Sequence, residues 1–322
     1  MKITKLSKNF TPLNKGIYFD IDTESDTPTT LTVEIIDSST TEVIATQQLR
    51  EVTSAKVNIA PYLPRFEEYK PMQNCCTSLA EVPCARYNIR VEGIESESVT
   101  VSVNEVEMGE ATIILTAMPM SRRISLGECD EVLMLTDCNS NIRAEITSDT
   151  GEQLYIEHYS EMGATRLAIS TENFGTDIHT LDIALYCEDE IFGTLHYSVV
   201  PALKSATRLA WLSDKGSIEQ YTFPISHKAN RAVERRDIVT SEGVKTAHCR
   251  TRHNNSLASR FEPAATIAAL AQIISATKVW VVDGVKAKGV EVTSHTIEQD
   301  IFGTPESICI DISTLNEEEV VW

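Results

Sequence analysis

Two short segments of the chain hold the residue types that most often carry chemistry. His248, Cys249 and His253 lie close enough in sequence to suggest a metal site, and the acidic run from Glu128 to Glu131 suggests the paired carboxylates of glycoside cleavage. Histidines five residues apart on a predicted strand and turn point to different faces, so we expect no metal there. Carboxylate pairs arise by chance in a chain with 47 acidic residues, so the acidic run is predicted to be a solvated turn.

The sequence motifs that usually mark nucleotide binding or hydrolysis do not occur in this chain. It has no GxxxxGK[ST] loop, no GxGxxG, no HExxH and no GxSxG. The sequence therefore predicts no catalytic residues, no cofactor and no metal, and we expect a protein that is not an enzyme. A hydrolase that uses carboxylates in a cleft between domains remains an alternative.

Composition and charge narrow the possible partners. The 322 residues are 42% apolar and 23% charged, which is typical of a folded protein. The net charge of -19 is opposite in sign to the field of proteins that grip nucleic acids, so no direct nucleic-acid partner is expected. No apolar stretch is long enough to span a bilayer and the N-terminal residues do not resemble a signal peptide, so no membrane partner is expected. The eight cysteines are accordingly expected to be mostly reduced thiols.

Apolar residues recur at every second position through most of the chain, which predicts a mainly β fold of several sandwich domains. The first predicted domain spans residues 1–106. Its strands are predicted near residues 17–22, 31–37, 42–50, 54–59, 86–92 and 98–104. Between them lies an insert, residues 61–84, that carries four prolines and three cysteines. We expect this insert to be a surface loop that either contacts a partner or is a disordered excursion.

The second predicted domain spans residues 107–202 and reads as an immunoglobulin-like sandwich. Turn residues separate seven short predicted strands, which fits the size and strand number of that architecture. The predicted strands cover residues 112–117, 131–136, 142–147, 153–158, 165–170, 180–187 and 193–200.

The third predicted domain, residues 203–322, is a β-sandwich or barrel with one α-helix. A proline at a first-turn position begins the helix, about residues 263–276, and apolar residues follow at helical spacing. Strands are predicted before and after the helix at residues 208–212, 218–225, 236–240, 245–251, 278–283, 290–296 and 307–313.

Charge is distributed unevenly along the chain. Residues 204–260 hold eleven basic and five acidic residues, a net charge of +6, which leaves -25 for the rest. Such opposed fields suit head-to-tail contacts between copies of the chain, although a solvated strand face would look the same. We predict that this assembly interface includes several basic residues and the terminal tryptophan: Lys228, Arg231, Arg235, Arg236 and Trp322.

One segment carries a family resemblance. Residues 208–223, with the pattern RLAWLxxxGxxExYTF, resemble a motif of tail-associated structural proteins in virions of Bacteroidetes phages and prophages, and residues 278–284 resemble a second block. In physical terms Gly216 permits a tight turn, and Leu212 and Tyr221 are predicted to face each other across the hairpin. Trp211, Phe223 and Trp280 are predicted to supply core or interface bulk.

The resemblance implies a structural role in a phage tail, at the tail tip, neck or an adaptor ring. Partners would be other virion proteins and copies of the chain itself in a homo-oligomeric ring, assembled in the bacterial host cytoplasm and located in the virion. A different hypothesis from the residues alone is a glycan-binding adhesin or receptor-binding module, which predicts exposed aromatic side chains at one end of a sandwich.

Overall fold

The computed structural model describes residues 1–12, 15–63, 69–71, 76–82, 85–102, 112–241, 243–296 and 307–316. Within these residues the chain is mainly β, with several mostly antiparallel sheets that form successive sandwich-like domains and a single α-helix near the C-terminal end. The predicted fold class is confirmed.

The N-terminal part forms a sandwich of two sheets, β1-β3-β6 and β2-β10-β8-β4-β5, with β9 beside β8. Its strands are β1 (Lys2–Lys5), β2 (Thr11–Pro12), β3 (Tyr18–Asp22), β4 (Thr29–Asp37), β5 (Val43–Val52), β6 (Ser54–Asn58), β8 (Arg86–Val91), β9 (Ile94–Glu95) and β10 (Val99–Ser102). The strand β7 (Ser78–Val82) lies between β6 and β8 in the chain but belongs to a sheet of the middle part. Alternation brings Phe19 and Ile21 of one sheet against Val33 and Ile35 of the other, all fully buried.

The middle part is a sandwich of immunoglobulin-like type. Its strands are β11 (Thr112–Leu115), β12 (Ser121–Ser125), β13 (Cys129–Thr136), β14 (Ser140–Ser148), β15 (Gln153–Ser160), β16 (Gly163–Ser170), β17 (Thr180–Cys187) and β18 (Glu190–Val200). One sheet has the order β11-β13-β16-β7, and the other has the order β12-β18-β17-β14-β15 with β12 parallel to β18. Sequence reasoning missed β12, because one of its inward positions is Arg122 and breaks the apolar alternation.

The predicted insert, residues 61–84, is not simply a surface loop. Ser78–Val82 forms β7 and extends a sheet of the middle domain by pairing with β16. Tyr69 is buried and its ring lies 5.3 Å from that of Trp280 in the C-terminal part. The surface-loop prediction was wrong for these residues, because they make backbone and aromatic contacts with both later domains. Much of the remaining insert lies outside the described residues.

The C-terminal part contains two sheets, β20-β19-β23-β24 and β21-β22-β26-β25. Its elements are β19 (Thr207–Leu212), β20 (Ile218–Phe223), β21 (Ile225–Thr240), β22 (Gly243–Ala258), α1 (Ala264–Ser275), β23 (Val279–Asp283), β24 (Lys286–Gly289), β25 (Glu291–Val292) and β26 (Cys309–Asn316). Trp211 and Phe223 of the first sheet share one core with Ile310 of the second sheet and with Leu270 of the helix.

The turn after β19 sets the pairing register of β19 with β20, the two strands of residues 208–223. Gly216 has a φ of 86°, which favours glycine, and its N–H donates to the Ser213 carbonyl. The predicted pairing of Leu212 with Tyr221 was wrong, because the short turn places Leu212 opposite Ile218 and Tyr221 opposite Leu209.

Candidate assembly interface

The strands β21 and β22 form a long β-hairpin. Each strand has 16 residues, but β22 pairs with β26 only from Thr251 to Ala258 within the described residues. Among the residues that the structure describes, the distal part, residues 234–250, is therefore a two-stranded ribbon with β21 at the edge of its sheet. Eight residues of extended chain measure roughly 27 Å, which is the length of ribbon beyond the last described pairing of β22 with β26.

The end of this ribbon is apolar. We call Ile238, Val239 and Val244 the hairpin tip; their side chains are 51%, 84% and 69% exposed, and Val239 lies opposite Val244 across the hairpin. Isolated exposed apolar residues are common, but here Val239 and Val244 lie side by side on one face of the ribbon's end and Ile238 lies on the other face, so the end is apolar on both faces. The hairpin tip is therefore suited to contact another surface.

The predicted interface residues fall largely on the same element. Lys228, Arg231, Arg235 and Arg236 all lie on the edge strand β21. Trp322 lies outside the described residues.

Charge separates the hairpin from the middle domain. Residues 225–258 hold seven basic and three acidic residues, a net charge of +4, whereas residues 107–202 hold four basic and seventeen acidic residues, a net charge of -13. These two parts of the chain therefore present opposite electrostatic fields.

A buried ionic network holds the C-terminal domain, and with it the hairpin, against the middle domain. We call this set the junction network: Arg122, Asp130 and Tyr197 from the middle domain with Arg208 and Glu219 from the C-terminal domain. Asp130 accepts hydrogen bonds from Tyr197 Oη at 2.9 Å and Arg122 Nη1 at 3.3 Å on one oxygen, and from Arg208 Nη2 at 3.1 Å on the other. Both arginines are thus joined through one carboxylate that is 4% exposed.

Glu219 is the second buried carboxylate of the junction network. Its oxygens accept the Ala117 backbone N–H at 2.7 Å and the Thr116 hydroxyl at 2.8 Å, both from the middle domain. Arg122 lies 4.0 Å away and donates to the same Thr116 hydroxyl. The loop after β11 is therefore fixed to the C-terminal domain by hydrogen bonds to a single side chain.

Arg208 is the first residue of the resembling pattern, and it contacts three residues of the middle domain. It donates to Glu128 at 3.2 Å and to the Cys129 carbonyl at 2.7 Å, besides Asp130. The prediction that the acidic run from Glu128 to Glu131 is a solvated turn was wrong, because most of the run belongs to β13 and its carboxylates bind arginines.

The insert adds a further polar contact at the same junction. The Tyr69 hydroxyl donates to Glu131 at 3.1 Å and accepts from Gln220 at 2.8 Å, while Arg166 donates to the same Glu131 oxygen. Nearby, Glu262 accepts from Tyr221 and from Arg123, each at 3.0 Å. The three parts of the chain thus meet through carboxylates that already hold charged or polar partners.

The pKa shifts of the buried arginine and tyrosines at this junction indicate that these groups keep one protonation state near neutral pH. Burial by itself lowers the pKa of Arg122, but interactions with Tyr197, Asp130 and Glu219 outweigh burial and raise the pKa above its usual value. Burial, followed by the charge of a neighbouring carboxylate, raises the pKa of Tyr69, Tyr197 and Tyr221. The arginine therefore stays charged and the three phenols stay neutral near neutral pH.

These raised tyrosine pKa values predict a steep loss of stability in alkali. Above pH 10 the unfolded chain releases the three phenolic protons while the folded chain retains them, so folding becomes less favourable as pH rises. The expected slope is roughly 4 kcal/mol per pH unit from three phenols. Phenolate absorbance and circular dichroism, followed together from pH 9 to 12, should show some of the nine tyrosines ionising only as the fold is lost. Ionisation of all nine in the folded protein would contradict this.

A shallow groove of about 370 Å³ lies on the middle domain. Its lining includes Glu145, whose carboxylate accepts from Tyr186, and Asp182, which is 2.7 Å from the His196 ring. The described residues contain no group of three or more histidine, cysteine or acidic side chains placed to hold a metal ion. No helix in the described ranges is long and apolar enough to cross a membrane.

Comparison with known proteins gives distant likeness of fold alone. No family model and no curated protein matches the sequence. Among solved structures, the native conformation of Escherichia coli alpha-2-macroglobulin matches at 7% identity with a TM-score of 0.22, covering 80% of this chain and 21% of that one. A tetra-tandem repeat from the extending region of a large adhesion protein matches at 9% identity with a TM-score of 0.25, covering 80% of this chain and 70% of that one. Likeness at this level carries no functional argument.

Proposed function

We propose that this chain is a non-enzymatic structural subunit that assembles head-to-tail with copies of itself in a phage tail. The observation that carries the proposal is the projecting hairpin, basic in composition and apolar at its tip, on a body whose middle and C-terminal domains are joined by buried ion pairs. A two-stranded ribbon alone is marginally stable in water, so a neighbouring surface that covers it would stabilise it.

The joined middle and C-terminal domains and the hairpin both support a role in self-assembly. The junction network aligns the C-terminal domain with the middle domain, so the ribbon leaves the body in a defined direction. Contacts between different surfaces of identical subunits generate a ring when the rotation between them closes. Such a contact needs no catalytic group, and the carboxylates of the junction network are occupied by arginines and hydroxyls.

The assignment to a phage tail comes from the sequence resemblance. Arg208, Trp211, Gly216, Glu219 and Tyr221 are all part of the resembling pattern. They fill the C-terminal core, form its turn or bind the middle domain. We propose a ring at the tail tip, neck or adaptor, with other virion proteins as neighbours and with assembly in the bacterial host cytoplasm.

Protein analysis of purified particles tests this assignment. We expect particles from an induced lysogen or infected culture that encodes the chain to contain it in fixed proportion to the major tail proteins. Absence of the chain from intact particles, with presence in the soluble lysate alone, would contradict the phage-tail assignment.

Replacement of an apolar residue at the hairpin tip should prevent self-assembly. Val239→Asp puts a charge where contact with a neighbour would remove water, and we expect association to weaken by at least about 30-fold. Mass photometry or sedimentation across a concentration series measures this change. Val43→Asp is the matched control, because Val43 is 44% exposed on a strand of the N-terminal domain. Equal association of both variants and the original protein would contradict a role for the tip.

A further inference from the structure

The sheet β12-β18-β17-β14-β15 has an outer face that the sandwich leaves in solvent. Alternation along β15 turns Leu154 and Ile156 toward the core and turns Tyr155 and Tyr159 outward. These two tyrosines are 60% and 63% exposed, and Ile191 on β18 is 58% exposed. We call this surface the tyrosine face and define it by Tyr155, Glu157, Tyr159, Glu145, Tyr186 and Ile191.

Strand register gives the face both apolar area and negative charge. Tyr155 lies opposite Glu145, and Tyr186 lies opposite Ile191. Arg143 is opposite Glu157 on one side and Tyr186 on the other, and it packs 4.4 Å from the Tyr186 ring. The aromatic and aliphatic side chains are therefore interleaved with carboxylates, within a domain whose net charge is -13.

We infer that the tyrosine face of one copy receives the hairpin tip of the next copy. This inference rests on the proposed function and names the surface that completes it. The tip offers three exposed aliphatic side chains at the end of a hairpin whose residues 225–258 carry a net charge of +4, and the face offers exposed rings and an isoleucine among carboxylates. The apolar side chains would form the contact itself, whereas most of the positive charge lies farther back along the hairpin and attracts the acidic domain at longer range.

Charge favours contact between a hairpin and a tyrosine face over contact between two hairpins or two tyrosine faces. Contact between two hairpins would bring two positive ribbons together, and contact between two tyrosine faces would bring two strongly acidic domains together. Both arrangements place like charges in apposition, which is unfavourable. The head-to-tail arrangement is the one that joins opposite fields, and it leaves a free tip at one end of the assembly and a free face at the other end for further copies.

A mixing experiment with two defective variants of the full chain tests the inference. Val239→Asp with Val244→Asp removes the tip and keeps the face, whereas Tyr155→Ala with Tyr159→Ala removes the face and keeps the tip. We expect the tip variant alone to associate at least about 30-fold more weakly than the original protein, and the face variant alone at least about tenfold more weakly. Mixed in equal amounts, the two variants should form a species of two chains, because one intact tip then meets one intact face. Val43→Asp and Tyr62→Ala, at other exposed positions, are the matched controls.

The possible results separate the inference from the proposed function. Normal assembly of the tyrosine variant, with loss of assembly in the tip variant, would overturn the inference and leave self-assembly through the hairpin intact. Loss of assembly in both variants without recovery on mixing would also overturn it, because it indicates a symmetric contact. A monomeric original protein at every concentration would overturn the proposed self-assembly as well. Binding to a glycan array that the tyrosine variant loses while it still assembles would overturn the inference and assign the face to sugars.

Discussion

Replacing Arg122 by alanine is expected to lower the free energy of unfolding by about 3–5 kcal/mol. The Arg122 side chain is 3% exposed and lies between Asp130 and Glu219, which are themselves buried. Its removal leaves two carboxylates in a region of low dielectric with one compensating charge fewer. The cost comes mainly from the stranded carboxylates, because a buried ion pair as a whole adds little compared with well-packed apolar groups.

Urea unfolding followed by circular dichroism measures this loss. Arg143→Ala is the matched control, because Arg143 lies on the opposite face of the same sheet and pairs with Glu145 at 3.3 Å, with both side chains about a third exposed. We expect the control to cost less than about 1 kcal/mol. Similar costs for both variants would indicate that water reaches the junction network and that it does not hold the domains together.

The same network explains how the fold could be predicted while its most connected residues could not. Period-two alternation depends on neighbours in sequence, so it predicted strands such as β14 and β17 closely. It missed β12, where Arg122 occupies an inward position that becomes tolerable once Asp130 and Glu219 face it. The insert was misjudged for a related reason, since β7 is defined by its pairing with β16, more than eighty residues later.

The acidic run from Glu128 to Glu131 shows which property of single residues could not be predicted from the sequence, namely their burial. Its composition alone indicates a turn in water, because charged residues are seldom buried without partners. The partners that bury it include Arg208 and Tyr197, which are 78 and 67 residues from Asp130 in sequence. Nothing in the run itself indicates them. A usable signal was the arginine at the start of a strand that otherwise reads as core, Arg208 before Leu209, because such an arginine needs a carboxylate nearby.

Replacing Trp211 by alanine should destabilise the C-terminal domain by about 3–5 kcal/mol. Trp211 is fully buried in the core that joins the two C-terminal sheets and the helix. Alanine would leave a cavity whose lining the surrounding strands can only partly close, because β19 is held on both sides by β20 and β23.

Two measurements distinguish this core effect from a general loss of surface contacts. Phe261→Ala is the matched control, because that ring is 71% exposed, and we expect it to change the free energy of unfolding by at most about 0.5 kcal/mol. Thermal unfolding should show the Trp211 variant losing the C-terminal transition at lower temperature than the N-terminal one, since the N-terminal core shares no residue with that of Trp211. Because the hairpin extends from the same C-terminal domain, the proposed self-assembly should be lost together with that first transition. Retention of assembly after the C-terminal domain has unfolded would indicate that the subunits join through another part of the chain.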